Sequence, residues 1–408
     1  MLIFPKDRSI LRDLASRQME LAHSKRNLRL YQDWMDYGAG KSGVRPLIRI
    51  EIETFEHQLL PSMLRCEGAE AREIEKRMLR PIVNFTQFED DTLVPDYYAV
   101  RLHQRFVPFG LEVRRQESGG LGHHFIPYLH DLEEDEHLLG DSVYSVDPEE
   151  TEREARLAEE LFGDILPVKT ITDCMYSCPT QDIVHIMNMD DMYMAMVDDE
   201  ERFHAMMRRL TDDYLAFFRM QEERGLLSSH ARMQHLAQGS YCFTDELTEG
   251  IAPAKLKDLW LFMDSQETAG VSPNMYAELV FPYYQELMSH FGLISYGCCE
   301  ATHAIWDNCL SKLTNLRKVS ISPWCDENFM GERLRGSCVT YLRKPPATLL
   351  GMDTPTLEED AVLDCFRKTA HAARGCRLEI AQRDVYMVGG SAEKVRRYVE
   401  LARKGLEG

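Results

Sequence analysis

From Leu259 onward, short apolar runs alternate with stretches of helical periodicity. Leu259 to Met263, Leu293 to Tyr296, Lys318 to Ser322, Ser337 to Leu342 and Arg377 to Ala381 read as short buried strands. Between them the pattern predicts four helices. One runs from the cap Ser272-Pro273 to His290 with a kink at Pro282, the others over Thr302 to Leu313, over Glu327 to Leu334, and from Ser391 through Leu401. Strand then helix, repeated every ~20–40 residues, is the spacing of βα units in a parallel sheet. Polar residues collect just after each strand, and in a (β/α)₈ barrel those positions converge over one cavity. Glu267, Cys298, Cys299, Glu300, Ser322, Trp324, Arg343, Lys344 and Asp384 are the residues so placed. A doubly wound open sheet fits the local pattern too, with a crevice in place of a ring of loops.

The first half is less regular. Ser9 to about Tyr37 carries one helical pattern, with Leu11, Leu14, Leu21 and Leu28 marking its apolar stripe. Residues 1–45 are therefore expected to form a helical extension and linker ahead of a barrel over residues 46–408. Residues 45–131 mix short runs such as Tyr98-Ala-Val-Arg-Leu with helical stretches, and the acidic stretch from Asp131 to Glu160 reads as a solvated helical surface. Seven methionines between Met187 and Met207 read as adaptable core packing.

Two apparent motifs fail on context. Gly38-Ala-Gly-Lys-Ser-Gly43 lacks the earlier glycine and the preceding strand of a phosphate-binding loop. Asp135-Glu-His137-Leu-Leu-Gly140 matches a corrinoid-binding pattern, but it lies in an acidic surface stretch without the strand-loop-helix setting.

Charge narrows the range of partners. The 408 residues include 47 Lys and Arg against 67 Asp and Glu, a formal net charge of −20. Nucleic-acid binding runs on excess positive charge and is not expected. No window approaches the ~18 apolar residues of a membrane span, so no membrane association and a cytoplasmic location are expected. The 11 cysteines, an odd number, point to reduced thiols rather than a disulfide framework. The oligomeric state stays open, a homodimer included.

Cys298-Cys-Glu300 with His303 places two thiols, a carboxylate and an imidazole within six residues at a strand end. Soft thiolates with oxygen or nitrogen partners suit Zn²⁺, and Glu267, one βα unit upstream, stands where it can add a carboxylate. The competing reading is a buried pair of core cysteines, since Cys is among the most buried residue types. Arg343-Lys344 reads either as salt-bridged surface or as an anion clamp.

Ser265-Gln-Glu267, Val271-Ser-Pro273-Asn-Met275, Tyr296-Gly-Cys-Cys-Glu300 with His303, Asn315 through Pro323-Trp324, and Tyr341-Leu-Arg-Lys-Pro-Pro346 resemble the uroporphyrinogen decarboxylase superfamily. The likeness is greater to its corrinoid-dependent methyltransferase branch, found in anaerobic bacteria. It is specific over about Leu259 to Leu350 and implies a (β/α)₈ TIM barrel. The arginine-rich N-terminal segment of the true decarboxylases has no counterpart in residues 1–60. The methyltransferase branch holds zinc through H-x-C at a strand end, and here the triplet is Tyr296-Gly297-Cys298, with Tyr in the His position.

The resemblance implies a zinc-dependent methyltransferase, a demethylase component that moves a methyl group between a small-molecule donor and the corrinoid of a separate protein. Glu267, Cys298 and Cys299 would hold the metal. Glu300 or His303 would orient a ligand or deliver a proton, and Tyr296, Trp324, Arg343 and Lys344 would contact substrate. The alternative is a metal-free, decarboxylase-like lyase acting on a carboxylated substrate.

Overall fold

A computed structural model of the protein describes residues 3–117 and 122–407. Thirteen strands are present among them: β1 Leu47–Ile50, β2 Tyr98–Arg101, β3 His103–Val107, β4 Arg115–Glu117, β5 His123–Phe125, β6 Val143–Asp147, β7 Val168–Ile171, β8 Met175–Tyr176, β9 Trp260–Met263, β10 Leu293–Tyr296, β11 Leu316–Ile321, β12 Thr340–Arg343 and β13 Arg377–Gln382. Seven form one parallel sheet in the order β1-β13-β12-β11-β10-β9-β8. A parallel β2-β7 pair and two antiparallel ribbons, β3-β6 and β4-β5, make up the rest.

Among the described residues strand pairing does not close the expected (β/α)₈ ring; the structure shows an α/β fold with a seven-stranded parallel sheet. β1 and β8 are the edges of the large sheet, and β2 pairs with β7 instead of β1. The reason lies in residues 84–91, which cover the free edge of β1 with three side chains and the Asp91 backbone N–H. Asp91 accepts the Ile48 N–H at 2.7 Å and Asp90 accepts the Ile50 N–H at 2.8 Å, while Asn84 Nδ2 donates to the Ile50 carbonyl at 2.7 Å. With its polar groups satisfied, β1 needs no second neighbouring strand. Arg45 and Arg403 hold the Asp91 carboxylate in place, each with two contacts.

Alternation along the strands sets two environments. Leu261, Met263, Ile294, Tyr296, Val319, Ile321 and Ile380 join the main apolar core on one face. Trp260, Phe262 and Leu293 point the other way, where residues 231–242 pack against them, and the Trp260 indole donates to the Cys242 carbonyl at 3.1 Å. On that same inner face Lys318 Nζ bonds Glu379 at 2.7 Å and Ser240 at 2.6 Å, a buried charge pair that anchors the segment to β11 and β13.

Several elements differ from their expected extents. The N-terminal helix is two helices, α1 Pro5–Ala22 and α2 Lys25–Gly38, because Ser24 caps a new start by accepting the Asn27 N–H. The break resets the helical phase, so Leu28, expected on the apolar stripe, is exposed. The Pro282 kink is likewise a full break: one helix ends at Leu279, and Phe281-Pro282 opens the next, Phe281–Ser289. Thr302 to Leu313 yields only the short helix His303–Trp306 and one further turn. Met189 and Met194 are exposed, whereas Met187, Met192, Met196, Met206 and Met207 fill the core. No described helix is long and apolar enough to cross a membrane.

Candidate functional site

The carboxyl ends of β9, β10, β12, β13 and β1 bring together Asp264, Cys298, Cys299, Lys344, Arg383, Asp384 and Glu51. Each position follows from strand phase. Asp264 continues the inward alternation of Trp260 and Phe262, and Arg383 continues that of Glu379 and Ala381. Cys298 and Cys299 follow Gly297, whose φ of 101° turns the chain at the end of β10. A Cβ at that glycine would lie 2.9 Å from Thr302 and 3.0 Å from Ser320, so the turn is also too close-packed for a side chain.

The two sulfurs lie 3.6 Å apart. Arg383 Nη1 is 3.6 Å from Cys298 Sγ, and Asp384 Oδ2 is 3.8 Å from Cys299 Sγ. The hydrogen bond between the thiols lowers the Cys299 pKa, with Lys344 and Arg383 assisting while burial and Asp384 oppose. The same bond, together with burial, pushes the Cys298 thiol up. Either sulfur can donate in this contact, and Cys299 is the one set beside the Asp384 carboxylate. Cys298 is buried and Cys299 partly exposed.

Asp264 is a buried acid. Oδ1 has no hydrogen-bond partner among the described residues, and only 1% of the residue is exposed. Burial, reinforced by Glu300, Cys298 and Glu267, pushes its carboxyl well above the ordinary range. Lys344 Nζ donates to Gln238 Oε1 and to the Gly297 carbonyl, both at 2.9 Å, and burial lowers its pKa. Arg383 also pairs with Glu51 at 3.3 Å and with Asp384 at 3.1 Å.

The expected site residues divide. Glu267, Cys298, Cys299, Glu300 and Lys344 do collect at this end of the sheet. Glu300, expected to orient a ligand or deliver a proton, clamps two strand ends: its carboxylate accepts the Cys298 N–H at 2.7 Å and the Ser265 N–H at 3.1 Å. The Glu267 carboxylate accepts from Thr180 Oγ1 at 3.0 Å, and burial raises its pKa.

The others lie elsewhere. Tyr296 points into the helix layer, where its hydroxyl meets that of Tyr276 at 2.8 Å. Arg343, one residue out of phase with Lys344, pairs with Glu327 at 2.8 Å and donates to the Ile321 and Ser322 carbonyls. His303 Nδ1 accepts the Asp326 N–H at 3.2 Å, and Trp324 is 74% exposed. Asp264, Arg383 and Glu51 were missed as site residues, although inward phase at a strand end was a signal for all three.

The residues present do not fit the expected zinc. Among the described residues no group of three His, Cys, Asp or Glu side chains is arranged to hold a metal ion. Glu267 is engaged with Thr180, and the thiol pair already faces the cations Lys344 and Arg383, whose charge opposes a dication at the same sulfurs. A separate cavity of ≈ 470 Å³ lies beside β1 and β2, lined by residues including Arg49, Arg77, Arg101 and His235. It contains none of the catalytic candidates, and several of its charges are paired, Arg77 with Glu154 and both Arg101 and His235 with Asp173.

The chain matches no family model and no curated protein. Among solved structures it is similar to a methyltransferase from Methanosarcina mazei, with a TM-score of 0.52 and 12% identity, over 93% of this chain and 99% of the other. At that identity the likeness is one of fold.

Proposed function

We propose that the protein is a methyltransferase that removes a methyl group from a small-molecule donor bound over the carboxyl ends of β9 to β13. One juxtaposition supports the reading: the buried acid Asp264 and the thiol pair Cys298-Cys299 lie at the same end of the sheet, with Lys344 and Arg383 facing the sulfurs. The similarity in fold to a methyltransferase agrees with it.

A methyl group bound to oxygen, nitrogen or sulfur leaves poorly unless that atom is neutralised as the bond breaks. Asp264, protonated, donates its proton to the departing atom, which keeps the bonding electron pair; the acceptor supplies the pair for the new bond to carbon. A corrinoid carried by a partner protein would supply a strong nucleophile for that carbon. Lys344 and Arg383 orient a polar or anionic donor, and Glu300 keeps the ends of β9 and β10 in register. No step requires zinc, because the proton from Asp264 performs the task of a Lewis acid on the departing atom.

The side-by-side cations favour one other reading, a lyase in which Arg383 pairs with a substrate carboxylate and Asp264 protonates the carbon after CO₂ departs. Incubation with methoxylated and methylated-amine donors, followed by assays for methylated cob(I)alamin and for CO₂, separates the two. Methyl transfer that falls about 10²–10⁴-fold in Asp264→Asn is the expected result. CO₂ release without methyl transfer would replace the first reading by the second.

A further inference from the structure

We propose that Cys298 and Cys299 are an oxidant-responsive pair, closing to a disulfide with each other when the protein meets a hydroperoxide and reopening under a dithiol reductant. The geometry carries the proposal. The two sulfurs are 3.6 Å apart on consecutive residues, and no other two thiols hydrogen-bond to each other among the described residues. Cys299 is the partly exposed member and Cys298 the buried one, so an oxidant reaches Cys299 first. Arg383 Nη1, 3.6 Å from Cys298 Sγ, favours the thiolate that must form there in the second step.

The chemistry balances in two displacements. Cys299 Sγ attacks the peroxide oxygen: an S–O bond forms, the O–O bond breaks, and the departing oxygen leaves as water or alcohol with the thiol proton, giving a sulfenic acid. Cys298 Sγ then attacks the Cys299 sulfur: the S–S bond forms, the S–O bond breaks, and hydroxide leaves as water with the Cys298 proton. Two thiols are oxidised and one peroxide is reduced. Because the residues are adjacent, closure moves the two side chains and the peptide between them, whose Cys298 carbonyl accepts from Ser320 Oγ at 2.8 Å.

The inference does not depend on methyl transfer, since its readout is covalent. The intact, folded protein is treated with hydrogen peroxide, remaining thiols are alkylated, and the peptide spanning both residues is fragmented in a mass spectrometer. The expected product lacks two hydrogens, carries no alkyl group at either cysteine, and regains both thiols with dithiothreitol. In Cys298→Ser, Cys299 should stop at the sulfenic acid and be captured by dimedone; in Cys299→Ser, Cys298 should stay reduced. The proposal is overturned if wild-type protein keeps both thiols alkylatable while exposed Cys338 is oxidised, or if Cys299 proceeds to the sulfinic acid without Cys298 joining it. The wild-type measurement decides the matter even if a serine variant misfolds.

Discussion

The Asp91 carboxylate accepts the Ile48 backbone N–H at 2.7 Å, and the Asp91 backbone N–H donates to the Ile48 carbonyl at 2.8 Å. One residue thus does for the edge of β1 what a neighbouring strand does elsewhere in the sheet. Burial raises the Asp91 pKa, but Arg45 and Arg403 together bring it below the ordinary value.

Replacing Asp91 with Ala should therefore cost about 2–3 kcal/mol, because it leaves a buried N–H and two cations without their acceptor. Urea unfolding measures the loss. A lowered folded pKa also sets the pH dependence: the contribution is complete above the unfolded value of about 3.9 and disappears as pH falls through the folded one. Wild type and Asp91→Ala should converge in stability in acid.

Lys318 and Glu379 make a buried pair inside the sheet, 2.7 Å apart. Removing one partner, as in Lys318→Met, should destabilise by about 3–5 kcal/mol, since it strands the other charge in the interior. The double variant Lys318→Met, Glu379→Leu should recover most of that loss. Denaturant midpoints of Lys318→Met and of the double variant against wild type test this, and a double variant as weak as the single one would contradict it.

Asp264 has the opposite sign to Asp91. Its raised folded pKa means that the folded protein holds the proton more tightly than the unfolded chain. That contribution is complete below about 3.9 and is lost as pH rises toward the folded value. Asp264→Asn should consequently be more stable than wild type at neutral pH, with a gap that shrinks toward acid. Unfolding curves of both proteins across pH would show it; a gap independent of pH would mean that the acid is not held protonated.

Cys299 should react with iodoacetamide along a pH profile whose midpoint lies below the ordinary thiol value of about 8.5. The hydrogen bond with Cys298 is the main cause, so Cys298→Ser should shift the profile differently from Arg383→Gln, which removes only an assisting charge. Cys298→Ala, which abolishes the bond, should raise the midpoint most. Mass-resolved alkylation rates at this residue provide the test.

Zinc is expected well below one ion per chain after incubation with the metal and desalting, because among the described residues no three donor groups are arranged to hold it. Metal analysis of the folded protein checks this. Stoichiometric zinc, lost in a Cys298→Ala, Cys299→Ala variant, would restore the metal reading.

Local pattern determined a good deal about this protein. The runs ending at Met263, Tyr296 and Ile321 are strands because four consecutive buried residues leave no polar face for a helix to expose. Their ends, and so the neighbourhood of Glu267, Cys298 and Lys344, were legible from the polar residues that follow. Phase was legible too: a shift of one residue sends Arg343 to Glu327 behind the sheet and Lys344 to the Gly297 carbonyl in the site.

Tertiary structure alone decided what lies across the chain from these ends. Glu51 meets Arg383 and Asp91 meets Arg403 over separations of more than 300 residues, and no local period encodes such a pairing. The same holds for the open edge of β1. Whether a strand takes its hydrogen bonds from a neighbouring backbone or from aspartate side chains depends on which groups arrive there when the chain is packed.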